Sequence, residues 1–379
     1  MQSAQPTGTN MQNLDTPALI VDVNVLRENI SRMQRLADSF GVRLRPHAKT
    51  HKSPQLARLQ TGAGARGVTV AKVGEAEVMA DGGLDDILIA NQVVGVEKVR
   101  RLIDLSRRVR LAVLVDSREG VQLLERAFGD AGATLDVLIE IDTGKGRCGL
   151  SADAEIKELA EAVRDSASLR LRGVETHEGH VPAGSTSSVQ MEERAVAAGR
   201  RVVEVAAMLR SRGHSVEEIS VGSTPAAPWT ASVAGVTEMR PGTYVFNDVN
   251  QMAIDQATPD TCALSVLATV ISRPAVNRAV VDAGSKSLFS EPARRGFALE
   301  GYEGFGYIRQ AQMARVVSLS EEHGVVEVTA DAGFPVIGEQ VEIIPNHVCP
   351  AVNLHDELYI VDGDDVIDVW PISARGKVR

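Results

Sequence analysis

Between about residues 18 and 247, short apolar, β-branched runs alternate with longer stretches whose apolar positions recur at i, i+3, i+4 and i+7. The short runs suit buried strands, and the longer ones have the 3.6-residue period of amphipathic helices. The predicted strands are Val42–Pro46, Gly67–Ala71, Asp86–Ala90, Arg110–Asp116, Asp136–Asp142, Arg172–His177, Glu218–Gly222 and Thr237–Phe246. The helical pattern is clear in NVLRENISRMQRLADSF and KVRRLIDLSRRV. Eight such βα units imply a closed parallel barrel more readily than a doubly wound open sheet, because a closed sheet leaves no long edges. The expected fold class is α/β, a (β/α)8 TIM barrel.

After Asp248 the texture changes to strand-like runs punctuated by Gly, Pro and Asp, such as CALSVLATVISRP, RAVVDAGSKS, MARVVSLSEEHGVVEVT, GEQVEIIPNHV and ELYIVDGDDVIDVWPIS. This reads as a β-domain. The expected partition is a barrel over 23–250 and a C-terminal β-domain over 251–379, with the early segment 14–22 added to the second unit. That early run precedes the first helix, and its pattern alone suits either unit. No internal repeat or low-complexity segment is visible.

Composition narrows the function classes. The chain has 379 residues, 40 Lys plus Arg against 50 Asp plus Glu, and a formal net charge of -10. Such an acidic chain, with only seven Phe, two Trp and four Tyr, offers neither the basic surface nor the stacking platforms that nucleic acids need. Three widely spaced cysteines, Cys148, Cys262 and Cys349, argue against a disulfide framework and for a reducing, cytoplasmic setting. Neither a signal-peptide pattern nor an apolar run long enough to span a membrane is visible.

In a barrel the chemistry gathers at the C-terminal ends of the strands. The first strand ends in RPHAKTHK, which sets Lys49 among His47, His51 and Lys52. A lysine crowded by cationic groups loses its proton easily and suits Schiff-base chemistry, although the same residues also suit a solvated basic loop. The seventh strand ends in Gly222, Ser223, Thr224 and Pro225, a turn able to cradle a phosphate. An imine-forming lysine with a phosphate cradle points to pyridoxal phosphate. In the β-domain, His347 and Cys349 in NHVCP fall on one side if the segment is extended, as an open zinc site requires. A partly buried histidine and an inert thiol are the alternative. Asn353, His355 and Asp356 follow close behind. Cys148 reads as a small packing residue and Cys262 as core.

The order LDTPALIVD, RPHAKTHK, IEIDTGKGRCG, GVETHEGH, SVGSTP, TEMRPGTYVF, VVDAGSKS, EEHGVV, NHVC and ISARGK resembles the D-threonine aldolase and D-serine dehydratase group, from about Leu14 to Arg375. This group, which includes D-threo-3-hydroxyaspartate dehydratase, belongs to the alanine-racemase-like, fold-type III pyridoxal phosphate enzymes. The resemblance implies that Lys49 carries the cofactor and Arg147 lies near its phenolic oxygen. Gly222, Ser223 and Thr224 would bind its phosphate, with Tyr244 as a further contact. Arg240 would face the pyridine nitrogen and leave the ring neutral. His177 would lie near the ring, and His347 and Cys349 would hold a divalent metal.

Within the group, aldolases carry His-x-Asp and use a harder ion such as Mn2+, whereas dehydratases carry His-x-Cys and use Zn2+, as thiolate softness would favour. Aldolases also read Tyr-His-Gly at the sixth strand end, where this chain reads His177-Glu178-Gly179; Glu178 and His180 are the candidate replacement bases. The tail NLHDELYIVD…WPISARGK is closer to the aldolases. The expected activity is a zinc-assisted dehydratase and ammonia-lyase acting on a D-3-hydroxy amino acid such as D-serine or D-threo-3-hydroxyaspartate. The alternatives are a D-threonine or D-3-hydroxyaspartate aldolase, and, further off, an amino acid racemase or a non-catalytic pyridoxal phosphate carrier. Lys49 would take the Cα proton after the substrate amine replaces it. Arg294 or Arg295 would serve a β-carboxylate, and the resemblance implies a homodimer.

Overall fold

The computed structural model describes residues 8–293, 297–298, 303–311, 313–328 and 334–379. Arg294 and Arg295 lie outside the described residues. The first helix, Val23–Phe40, starts where the Asp22 carboxylate accepts the N–H groups of Asn24 and Val25 at 2.8 and 3.0 Å. It ends at Gly41, whose φ of 65° is the left-handed conformation glycine adopts without penalty. Its buried stripe, including Val23, Leu26, Ile30, Met33 and Ala37, packs into the core. Each fully buried aliphatic side chain of this kind stabilises by about 1.5–3 kcal/mol.

Eight strands then form one parallel sheet: Arg43–Leu44, Val68–Val70, Asp86–Gln92, Arg110–Val115, Leu135–Glu140, Leu169–Glu175, Glu218–Val221 and Glu238–Met239. The eighth pairs in parallel with both the seventh and the first. A bridge from His47 to Thr69 joins the first strand to the second and closes the barrel. The first and eighth strands are shorter than their apolar runs: Pro46 and Pro241, lacking an N–H, each leave a gap in the ladder, although their carbonyls still accept from Thr69 and His47. The chain beyond Pro241 turns through a short 3-10 helix, Thr243–Val245, instead of continuing as a strand.

The lumen holds charge as well as aliphatic side chains. Arg45, fully buried, donates to Glu238 at 2.8 Å and to Asp86 at 2.6 Å, and Arg172 donates to Glu218 at 2.6 Å. Arg172 of the sixth strand also lies 4.0 Å from Asp86 of the third, a contact that spans the barrel. Buried ions persist only when paired in this way.

Among the described residues the second sheet has ten strands. Its longest strand, Leu264–Ala275, pairs antiparallel with Ala18–Asp22, Arg278–Val281 and Gln340–Ile344. Ala18–Asp22 also pairs in parallel with Glu357–Asp362, so the early run is laid between two late strands. No helix among the described residues is long and apolar enough to cross a membrane.

Candidate active site

A cavity of about 690 Å3 opens where the barrel strand ends meet the second sheet. His47 and Lys49 enter it from the first strand, Arg147 from the loop after the fifth, and His177 from the sixth. Gly222, Ser223 and Thr224 follow the seventh, Arg240 follows the eighth, and His347 and Cys349 come from the distant β-domain.

Burial pushes the Lys49 ammonium below its ordinary value; Arg147 and Arg240 push the same way, while Cys349 and Glu75 oppose. An amine of this kind is available to act as a base or nucleophile. His51 and Lys52 turn away from it. Lys52 is ion-paired with buried Glu75, and His51 accepts the Ser53 N–H at 3.1 Å. His177 is held neutral, at about 3, by burial and by the cations Lys49 and Arg147. Its Nδ1 donates to the Gly222 carbonyl 2.6 Å away, which leaves Nε2 as an acceptor.

The turn at Gly222 fits a phosphate. The hydroxyls of Ser223 and Thr224 accept the N–H groups of Ala226 and Tyr244 at 3.3 and 3.1 Å, and so keep their own protons for a ligand oxygen. The N–H groups of Ser223 and Thr224 have no partner among the described residues. Gly222 itself contributes differently from expectation: its N–H donates to Glu178 at 2.9 Å and its carbonyl is taken by His177. A Cβ there would lie 2.9 Å from Arg240 Cβ, so the glycine lets Arg240 pack under the turn.

Tyr244 does not reach the cavity through its side chain. It is buried, and its hydroxyl accepts from Gln60 at 2.9 Å; only its backbone N–H serves the turn, through Thr224. Glu178 is likewise engaged on Gly222, and neither it nor His180 lines the cavity.

His347 and Cys349 reach the same wall by a route other than an extended segment. His347 is the N-cap of the short helix Val348–Val352, and Cys349 sits in its first turn. The Asp248 carboxylate, which lines the same wall, accepts the Val348 and Gln251 N–H groups at 3.2 and 3.0 Å. Imidazole and thiol together suit a borderline-soft divalent ion, with Asp248 at hand as a hard donor or orienting group. Asn353, His355 and Asp356 are structural: they bond to the Gly376 N–H, the Ser287 carbonyl and Arg375.

Asp116, Glu140 and Cys148 bring donor atoms within 4.8 Å of one another beside the fifth strand. Asp116 accepts the Gly149 N–H, and Glu140 accepts from Gln92 and Arg147, so these carboxylates brace the loop carrying Arg147. Burial and these two carboxylates push the Cys148 thiol up, away from the reactive thiolate form. Cys262 is fully buried.

The alanine racemase N-terminal domain model matches residues 21–249, and a putative serine dehydratase domain model matches 263–361. The chain belongs to the D-threonine aldolase and D-serine dehydratase group of alanine-racemase-like proteins. It is 38% identical over 381 residues to a D-threonine aldolase of Arthrobacter sp, covering 99% of this chain and 96% of the relative. With the D-threo-3-hydroxyaspartate dehydratase of Delftia sp. (strain HT23) it shares 35% identity over 380 residues, 94% of this chain and 97% of the relative. A solved cysteine-to-alanine variant of a D-threo-3-hydroxyaspartate dehydratase, in the metal-free form, superposes with a TM-score of 0.87. That match has 32% identity and covers 96% of this chain and 98% of the other. The fold is therefore the alanine-racemase-like barrel with a strand-rich C-terminal unit. The family depends on pyridoxal phosphate, and its activities are those of lyases.

Sequence reasoning missed Glu140, Glu175 and Asp248, which line the cavity. For Glu140 and Glu175 the available signal was an inward position one or two residues before the strand-end motifs; Asp248, which follows the eighth predicted strand and caps the short helix Val249–Met252, carried no such signal.

Proposed function

We propose that the protein is a pyridoxal phosphate- and metal-dependent lyase that removes water from a D-3-hydroxy amino acid, D-threo-3-hydroxyaspartate or D-serine, to give a 2-oxo acid and ammonia. The observation that carries this reading is the meeting of Lys49 with His347 and Cys349 in one cavity. Ser223 and Thr224 would hold the phosphate, Lys49 the carbonyl carbon of the cofactor, and Arg147 its phenolic side. His347 and Cys349 would hold zinc. When bound, the cofactor supplies an electron sink for charge left at Cα, and the ion supplies a Lewis acid for the β-hydroxyl.

The remaining work falls to the chain's own groups. Lys49, whose hold on its proton is weakened by burial, takes the Cα proton onto Nζ. Neutral His177 presents Nε2 to the cavity without adding a positive charge beside Lys49. Retro-aldol cleavage instead requires a base on the β-hydroxyl, and Glu178, spent on Gly222, does not line the cavity. The aldolase reading has its own support in the 38% identity to a D-threonine aldolase.

Product analysis separates the two. The purified chain, supplied with pyridoxal phosphate and zinc or manganese, is incubated separately with D-serine, D-threonine and D-threo-3-hydroxyaspartate. A 2-oxo acid with equimolar ammonia is expected. Glycine with an aldehyde or glyoxylate overturns the dehydratase reading. A second copy of the chain is the proposed partner, checked by the mass of the holoprotein in solution.

A further inference from the structure

Asp248 lies where the barrel passes into the second unit, is 1% exposed and lines the cavity. The chain reaches it through Asn247, whose φ of 55° is a left-handed turn that asparagine tolerates, and whose side-chain amide donates to the Thr261 carbonyl at 2.9 Å. Beyond that turn Asp248 starts the short helix Val249–Met252. Its Oδ1 accepts the Gln251 N–H at 3.0 Å, the ordinary service of an N-cap. Its second oxygen serves a different helix. Oδ2 accepts the N–H of Val348 at 3.2 Å, 100 positions along the chain.

Val348 stands between His347 and Cys349 and is the first residue of the helix Val348–Val352. A helix start leaves its first N–H groups without partners inside the helix, and the N-cap side chain normally takes one of them. Here the N-cap is His347, and its side chain makes no cap bond. Asp248 supplies an acceptor from outside the helix, so the imidazole of His347 is not drawn into capping and stays on the cavity wall. Neighbouring backbone bonds hold the same register: the N–H groups of Val249 and Asn250 donate to the carbonyls of Pro345 and Asn346 at 3.2 and 3.1 Å. Val249 and Met252 pack with Ile344 and Tyr307 in one buried cluster. The backbone passes from extended at His347, with φ −142° and ψ 108°, to helical at Val348. The directions of imidazole and thiol depend on where that change falls, and the bond from Val348 to Asp248 fixes the place.

A carboxylate beside a histidine and a cysteine could be a third ligand or a support for the other two. Among the described residues, the donor atoms of Asp248, His347 and Cys349 do not all lie within 4.8 Å of one another. Each oxygen of Asp248 already carries a backbone N–H. We propose that Asp248 is a positioning residue for the metal: it caps the ligand helix in place of His347, and so sets imidazole against thiol before an ion arrives, without itself being a ligand. Outer groups that orient metal ligands in this way are worth about 10–100-fold in metal affinity. The inference rests on the metal reading given under Proposed function.

The test uses the full chain loaded with pyridoxal phosphate. Zinc affinity is read by competition with a chromophoric chelator, and the geometry of the ligand pair from the thiolate-to-metal absorption of the cobalt(II) form. Asp248→Asn keeps the shape and one acceptor oxygen but puts an amide donor against the other N–H. Zinc affinity is expected to fall about 10–100-fold and the cobalt band to shift, while the absorption of the lysine-bound cofactor stays unchanged. Native zinc affinity with an unmoved cobalt band overturns the inference. So does an equal loss of zinc and cofactor binding together with a lower unfolding midpoint, the pattern of a merely structural residue. If the variant does not fold, hydrogen exchange of the Val348 amide in the native chain decides. Protection already present without metal is expected, and protection that appears only on adding zinc overturns the inference. A chain that makes a 2-oxo acid with zinc yet is indifferent to Asp248→Asn loses this inference alone, whereas a chain that binds no zinc loses the metal reading with it.

Discussion

The hydroxyl of Thr50 lies 3.3 Å from the sulfur of Cys349, although 299 positions separate the two residues in the chain. Thr50 directly follows Lys49, so the loop that carries the amine also touches the proposed metal ligand. A hydroxyl on a ligating sulfur orients it and tunes its basicity. Thr50→Val removes that bond with little change in volume. Zinc affinity, measured by competition with a chromophoric chelator, is expected to fall by about 10–100-fold, while the cofactor spectrum stays in place.

Lys49 is proposed both to carry the cofactor and to take the Cα proton. Lys49→Ala is expected to abolish the absorption band of the lysine-bound cofactor and to lower kcat by at least the factor of about 10²–10⁴ typical of a lost general base. A small added amine should restore part of the rate. A variant that keeps native kcat would remove Lys49 from the mechanism.

Ligand softness is the argument for dehydration. Cys349→Asp supplied with manganese replaces a soft donor by a hard one beside the same His347. Glycine and an aldehyde are expected to appear among the products; continued release of 2-oxo acid alone would show that this ligand does not select the reaction.

Gly222→Ala tests the packing under the phosphate turn. The new Cβ would lie 2.9 Å from Arg240 Cβ and 3.3 Å from its Nη2. Overpacking of this kind costs about 1–3 kcal/mol. The denaturation midpoint should drop, and cofactor affinity should weaken because Arg240 is displaced toward the cavity. Equilibrium unfolding and a cofactor titration measure the two effects separately.

Burial keeps the His51 imidazole neutral down to about 3, against an ordinary 6.5. The unfolded chain therefore binds a proton that the folded chain refuses. This contribution to stability is full above about 6.5 and declines as pH falls from there toward 3. Unfolding midpoints measured at pH 7.5 and 5.0 should show the loss. His51→Asn, whose side-chain oxygen can accept the Ser53 N–H in place of Nδ1, should flatten it.

The local patterns sufficed for the eight strand positions, the change to a β-rich unit and the strand-end motifs. Periodicity records which faces a segment must bury, and the motifs lie at the turns where strands stop. They did not reveal what each polar side chain would bond to. Tyr244 looked available for a phosphate until packing placed its hydroxyl against Gln60. Glu178 looked like a spare base until the seventh strand brought the Gly222 N–H to it. His347 and Cys349 share a cavity wall through a helical turn, where alternation along an extended segment had suggested the same result.

The sequence by itself determined the barrel, the family and the chemistry-bearing residue types, because these follow from local periodicity and from short ordered motifs. Only the tertiary structure decided the rest. The bridge from His47 to Thr69 closes the barrel, and the meeting of Thr50 with Cys349 joins the two units. Folding also turned Glu175 from an ordinary carboxylate into a buried one paired with Arg240 and pushed up by that burial. The protonation and partner of a polar group depend on its burial and on charges brought from distant strands, and no local stretch of sequence contains those neighbours.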